Sequence, residues 1–392
     1  MPPDSARALS VTFTLIRDLR DIDPASWNRL AGRHPLASHE FLSALSQTGC
    51  ASAATGWAPH YLAMRRGGEL AGAMPLYLKS HSRGEYVFDY AWAQAFERHG
   101  LPYYPKLLSA IPFTPVPGPR LLAANHADRV LLARKAADIG AENGVSSLHI
   151  LFPDEADQRA LREAGYLFRE SVQFHWFNRG YASMDEFLAG MTQQKRKKIR
   201  QDRKKVESAG IRFRWLQGND VDAASLDFFY RCYRRTYLEH GNPPYLNSAF
   251  FEQLRTSMAD SMVLVLAEQD GRPVASALNI LGPRTLYGRY WGSLAFIPGL
   301  HFETCYMQGI AYCIAKGVAV FEGGAQGEHK LSRGMLPVRT CSAHWISDQR
   351  YAAAIAEFLE RETPMVEAYR DELLDHSPFK KAGTDQAPST QK

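Results

Sequence analysis

The sequence predicts an α/β fold, an α+β arrangement on a mixed sheet, in which one α/β unit is used twice in tandem. Three observations carry that reading. Helical and strand-like patterns alternate from end to end, which favours helices packed on a sheet. A hairpin with a two-residue turn occurs twice, as GGELAGAMPLYL from Gly67 and DGRPVASALNIL from Asp270, with turn, length and apolar pattern alike. Leu300 to Leu331 reads as a helix, a short buried strand and then a polar cluster; ligands of α/β sheets sit beyond the carboxyl ends of strands.

The elements follow in order. Val11 to Arg17 alternates and reads as a strand. Asp23-Pro24 opens a helix through Leu30, and Ser38 caps another through Gln47. His60 to Arg66, the Gly67-Gly68 turn and Glu69 to Lys79 make the first hairpin. Glu85 to Ala91 reads as a further strand. The stretch from Trp92 to Leu122 carries Pro102, Pro105, Pro112, Pro115, Pro117 and Pro119 among aromatics, a density that favours irregular extended backbone; it is expected as a rigid loop flanking a cleft. A helix over Ala127 to Asn143, a buried strand Ser147 to Phe152, a helix Asp154 to Ala164 closed by Gly165 and a strand Phe168 to Phe177 follow.

The second cycle opens with one long basic helix, Met184 to Ala209, ended by Gly210. A strand Ile211 to Leu216, helices Leu226 to His240 and Ser248 to Ala259, and the second hairpin, Met262 to Leu281, come next. Leu286 to Gly292 is a strand rich in aromatic and basic residues. In the segment from Leu300, Tyr306, Ile310, Cys313 and Ile314 recur at helical spacing up to Gly317, and Val318 to Phe321 is a buried strand ending at Glu322. A late strand, Ala343 to Ile346, and a helix, Tyr351 to Glu362, precede a polar stretch, 377–392, expected to be disordered.

The totals exclude several classes. A chain of 392 residues suits about two domains, and 45% hydrophobic with 22% charged residues is ordinary for a soluble protein. Five scattered cysteines without a CxxC pair suggest neither a disulfide framework nor a zinc cluster. The N-terminus lacks a signal peptide's apolar core, and no run approaches the roughly 18 residues of a membrane helix, so a cytoplasmic protein is expected. The formal charge is +5, yet Lys195 to Lys205 alone holds eight basic residues and one acidic, so the rest is slightly acidic. A contact with a polyanion should therefore be local. Lys195, Arg196, Lys197, Lys198, Arg200 and Arg203 would make it; the plainer reading is a solvated helix bridging two domains. Oligomeric state is not indicated.

Several segments together resemble the FemAB-like predicted N-acyltransferases: PLYLKSHSRGEYVFDYAWAQAFERHGLPYYPKLL from Pro75, PFTPVPGPRLL from Pro112, QKRKKIRQDRKKV from Gln194, LYGRYWG from Leu286, LHFETCYMQGI from Leu300 and FEGGAQGEHKLSRGMLPVRTCSAHW from Phe321. The resemblance spans roughly residues 35–362. It implies two tandem GNAT-like acyltransferase domains, here 1–180 and 181–376, the second carrying the basic helix 184–209 and the active site. It also implies transfer of an acyl or aminoacyl group to an amine; better-known members of the Fem group use charged tRNA and act on peptidoglycan precursors. The glycine-rich pyrophosphate loop of acetyl-CoA-dependent relatives is missing, since Gly292 and Gly299 in GSLAFIPGLHFET have other spacing. No cofactor is specified: acyl-CoA or aminoacyl-tRNA is the expected donor, and a small-molecule or peptide amine the acceptor, such as a cell-wall precursor. The competing readings are an RNA-binding or regulatory protein on a degenerate GNAT scaffold, and a CoA-dependent acetyltransferase of a small amine.

Acyl transfer needs a base, because a free alkylammonium has a pKa of about 10.4, and donors for the oxyanion. His301, Glu303 and Glu322 are the expected catalytic groups. Arg289, His329 and Lys330 would hold negative charge, with Gln326 and Glu328 beside them. Tyr290, Trp291, Trp92, Tyr104, Lys106 and Arg120 would complete the substrate site. The carboxylates and imidazoles of the second half should converge on one groove. Each has a plainer reading: Glu303 suits a helix's first turn, Glu322 could pair with Lys330 or Arg333, and His301 could be an interior histidine. No HxxxH or HExxH spacing supports a metal. Cys305 and Cys313 read as core.

Overall fold

The computed structural model describes residues 10–324 and 327–380. The first half runs β1 (Val11–Ile16), α1 (Pro24–Ala31), α2 (His39–Gln47), β2 (Trp57–Pro59), β3 (Tyr61–Arg66), β4 (Glu69–Met74), β5 (Tyr77–Lys79), α3 (Tyr90–Arg98), β6 (Lys106–Ser109), β7 (Leu122–Ala123), α4 (His126–Glu142), β8 (Ser147–Leu151), α5 (Glu155–Glu163) and β9 (Leu167–Phe177). The second runs α6 (Met184–Ala189), α7 (Gln193–Ser208), β10 (Ile211–Gln217), α8 (Ala223–Glu239), α9 (Ser248–Ser257), β11 (Met262–Gln269), β12 (Arg272–Leu281) and β13 (Thr285–Ser293). Then α10 (Leu300–Phe302) passes through a π turn (Glu303–Met307) into α11 (Gln308–Lys316), and β14 (Val320–Glu322), β15 (Leu336–Ile346) and α12 (Gln349–Asp375) end the chain's described part. Side-chain caps start the helices as the sequence indicates: Asp23, Ser38, Asp154 and Asp222 each accept a first-turn N–H.

The repeat is real in detail. Each half has a strand, two helices, a hairpin, a further strand, a helix and a strand that returns parallel to the one before that helix: β6 pairs with β8, β13 with β14. Both hairpins turn through two positive-φ residues, Gly67-Gly68 and Asp270-Gly271. Both carry a bulge at the same place, leaving Ala71 and Val274 unmatched in their ladders. An eleven-stranded sheet runs β10-β11-β12-β13-β14-β9-β15-β8-β6-β5-β2, and a four-stranded one runs β1-β3-β4-β7. The last strand of each half lies in the other half's sheet, β9 against β14 and β15 against β8.

Several expectations are corrected. The strand 69–79 is cut around Pro75, so β4 stays in the small sheet while β5 joins the large one. Residues 85–89 are loop rather than strand, because Glu85 and Asp89 turn inward to the buried Lys106 ammonium. The proline-rich stretch holds α3 and two short strands besides its loops. The long basic helix breaks over 190–192 into α6 and α7. The last helix extends to Asp375 through Pro364, with Leu359 and Leu373 buried on either side of it. The late strand begins at Leu336. In the stretch expected to be disordered, Pro378 is buried and Phe379 bridges to Met191; 381–392 lies outside the described residues.

Candidate active site

β13 and β14 pair only from Thr285 with Val320 to Tyr287 with Glu322. β13 then runs on to Ser293, while the other chain turns away at Gly323, leaving a notch in the sheet. A register shift on β12 leaves Arg289 as an extra residue there. Gly292 lets α8 lie on β13, since a Cβ would stand 2.1 Å from the Cys232 carbonyl oxygen. Two clefts meet at the notch and share Gly288, Arg289, Tyr290, Trp291 and Gly323. The smaller, of about 140 Å³, lies against α10 and the π turn and is lined by His301, Cys305 and Tyr306. The larger, of about 470 Å³, lies between the halves. Its walls are Tyr86, Phe88, Tyr90, Phe113, Tyr233, Tyr237 and Tyr245. Phe113 stacks on Tyr245 at 4.9 Å, and Tyr233 meets Tyr290 edge-on at 5.3 Å.

Sequence reasoning missed this aromatic wall. The signal was present on α8, where Tyr230, Tyr233 and Tyr237 recur at helical spacing. The loop residues had none, because only the fold brings 86–90 and Phe113 across to them.

Glu322 is 1% exposed and forms a two-pronged pair with Arg289 at 2.5 and 3.1 Å, while accepting the Gly324 N–H at 3.0 Å. Burial opposes its ionisation, but the Arg289 charge and hydrogen bonds outweigh burial and hold the carboxyl below its ordinary range. Its partner is thus Arg289 rather than Lys330 or Arg333. Lys330 is 3% exposed, donates to the Gly324 carbonyl at 3.1 Å, and is pushed down to about 8 by burial, with Arg289 adding to the shift. His301 lies against Trp291, ring centroids 4.8 Å apart, and burial lowers it to about 4, so it is neutral at pH 7.

The other expected residues are not brought to one groove. Glu303 lies against the basic helix, paired with Arg203 at 3.2 Å and Gln308 at 2.8 Å, and lines neither cleft. His329 is exposed and bonds the Tyr306 hydroxyl at 3.2 Å. Glu328 accepts from Tyr369 at 2.7 Å and lines a separate cleft of about 420 Å³. Gln326 lies outside the described residues. Trp92 is core, against His149 and His344. Tyr104 bonds Ser82 at 2.8 Å, Lys106 holds Glu85 at 2.8 Å together with Asp89, and the fully buried Arg120 caps the Val116 and Pro119 carbonyls. None of these four lines the two clefts. The expected convergence is therefore corrected: of His301, Glu322 and His329, only His301 opens into a cleft.

α7 crosses the start of α10, where a Cβ on Gly299 would stand 3.2 Å from the Asp202 carbonyl oxygen. Lys198 pairs with Asp202 at 3.1 Å, Arg200 with Asp185 at 3.3 Å, and Arg196 reaches the Ala189 carbonyl at 3.4 Å. Lys197 and Lys204 are exposed, and neither has an ion pair among the described residues.

The chain belongs to the FemAB-like family, described as peptidoglycan biosynthesis and recognition, which it matches over residues 18–381. No curated protein matches it. Among solved structures, FemX is similar at 13% identity over 86% of this chain and 98% of that one, with a TM-score of 0.52. L-PGS from Bacillus licheniformis is similar at 10% identity over 83% and 92%, with a TM-score of 0.53. A tandem GNAT protein from the clavulanic acid pathway aligns at 11% identity over 86% and 99%, with a TM-score of 0.46. The shared feature is the fold, an α/β unit used twice in tandem, and family membership places the chain in peptidoglycan biosynthesis or recognition. No helix among the described residues is long and apolar enough to cross a membrane.

Proposed function

We propose that the protein moves an acyl or aminoacyl group from an activated ester or thioester to an amine, with the donor in the smaller cleft and the acceptor in the larger. The observation that carries this reading is the notch: two clefts on opposite sides of the sheet touch only where β13 and β14 part. A carbonyl and an amine entering from the two sides would meet there, already aligned. The amine nitrogen bonds to the carbonyl carbon, the amine's proton passes to His301, and as the carbon–oxygen or carbon–sulfur bond of the donor breaks His301 returns that proton to the leaving oxygen or sulfur. His301 is the candidate base because its ring opens into the smaller cleft and neither cleft is lined by a carboxylate among the described residues. Glu322, saturated by Arg289, positions the bulge. In this reading, main-chain N–H groups at the bulge around Arg289 serve the oxyanion.

The α7 crossing favours a charged tRNA over acyl-CoA. The helix start at which a pyrophosphate would sit is covered, and Lys197 and Lys204 point cations outward for phosphates. Native mass spectrometry of the whole protein with acyl-CoAs and with charged tRNA tests the donor. Retention of the tRNA, weakened by Lys197→Glu with Lys204→Glu, is expected. Retention of an acyl-CoA alone would reassign the donor, and retention of neither would remove the reading.

A further inference from the structure

The loop 294–299, between β13 and α10, presents Phe296 with 96% of its surface exposed. It is not a slack loop. Leu294 N–H bonds the Val274 carbonyl at 2.8 Å, the Ser293 hydroxyl donates to the Ala295 carbonyl at 2.6 Å, and Gly299 packs on α7. The chain therefore holds a phenyl ring out in water by design of its backbone. Other exposed apolar groups lie beside it. Leu294 is 36% exposed, and its carbonyl accepts from Arg235 at 2.9 Å; Leu238, one turn further along α8, is 55% exposed.

The rim of this apolar tip is basic. On the α8 side stand the exposed Arg231, paired with Asp227 at 3.1 Å, Arg235, paired with Glu239 at 2.7 Å, and Arg234, which has no carboxylate partner among the described residues. On the α7 side Lys198 and Lys205 share the single carboxylate of Asp202, whose main chain touches Gly299. α7 as a whole carries eight basic and two acidic side chains.

We propose that this face docks on an anionic lipid bilayer, with Phe296, Leu294 and Leu238 entering the interface and the arginines and lysines meeting lipid phosphates. Insertion of apolar side chains and attraction of a basic rim to anionic headgroups are the two components of interfacial binding. The aliphatic residues favour hydrocarbon over nucleic acid, because bases stack on rings and not on leucines. A protruding phenyl ring beside a net basic helix also fits a soft surface better than a protein recess. Trp291 and His301, which line the smaller cleft, flank the loop in sequence, so docking would set that cleft's mouth at the membrane surface.

The test uses the whole protein and sucrose-loaded vesicles of phosphatidylcholine, with and without phosphatidylglycerol. Co-sedimentation is expected only with phosphatidylglycerol, and should weaken as salt rises from about 50 to about 300 mM. Phe296→Ser should weaken it at least tenfold with an unchanged melting temperature, as the ring packs on nothing. Phe296→Trp should show a blue-shifted emission on the same vesicles. Equal binding by the serine variant, or no preference for phosphatidylglycerol, overturns the proposal. So does loss of uncharged tRNA binding in Phe296→Ser without vesicle binding, which assigns the loop to nucleic acid. A wild-type dimer that the serine variant converts to monomer would assign it to a second copy.

Discussion

At Glu322 the chain buries a carboxylate, and its meaning depends on Arg289. Glu322→Gln leaves a buried guanidinium without its counter-charge, a change that costs about 3–5 kcal/mol in comparable pairs. The melting temperature should therefore fall well before any catalytic role can be read. His301→Ala should behave oppositely, abolishing transfer with little change in melting. The pH response separates them further. The folded pKa of His301 is about 4 against an ordinary 6.5, so the unfolded chain takes the proton first. Stability from this group is lost as pH falls from about 6.5 to about 4, and His301→Phe should flatten melting curves over that window. Glu322 is held below 4.5, so its contribution is lost only at more acid pH, as the unfolded carboxyl protonates first. That a carboxylate ending a buried strand must be paired was legible in the sequence. That its partner is Arg289 was not, because a bulge on β13 decides where that side chain points.

Elements with a local cause were legible. The two hairpins follow from turn residues that tolerate positive φ, and the capped helices from side chains within three residues of the N–H they bind. Elements with a distant cause were not. EYVFDYA alternates like a strand, yet Glu85 and Asp89 are claimed by Lys106, and no local pattern reports an ammonium so far along the chain. Lys106→Met should expose that dependence. Asp89 would lose its ammonium partner and Glu85 the nearer of two, with Lys79 left at 3.8 Å, at a cost of about 3–5 kcal/mol, and the loop carrying Tyr86 and Phe88 would come loose. Faster trypsin cleavage after Arg83 would report it, and unchanged cleavage would show that the loop holds without the pair. The α6–α7 break depends on a remote contact too. Thr192 N–H bonds the Pro378 carbonyl at 2.9 Å and Lys380 N–H bonds Gly190 at 3.0 Å. Ending the chain at His376 should cost about 1–3 kcal/mol, measured by urea unfolding, through lost hydrogen bonds and exposure of Phe187.

At the scale of the whole molecule, the repeat was visible in the sequence but the exchange of strands was not, since two similar halves could as well close separately. The consequence is a single cooperative body. A fragment of residues 1–180 would keep β8 and β9 but lack β15, which pairs with both. Each strand would then present an unpaired edge, and such edges recruit other chains. The complementary fragment would lose β9 from beside β14, at the notch where the two clefts meet. Calorimetry of the intact protein should therefore give one transition with equal calorimetric and van't Hoff enthalpies. Either fragment alone should aggregate, and the two should yield a folded complex only when produced together. Two separable transitions, or a monomeric folded 1–180 fragment, would mean that the exchanged strands add little, and that the notch is held by the second half alone.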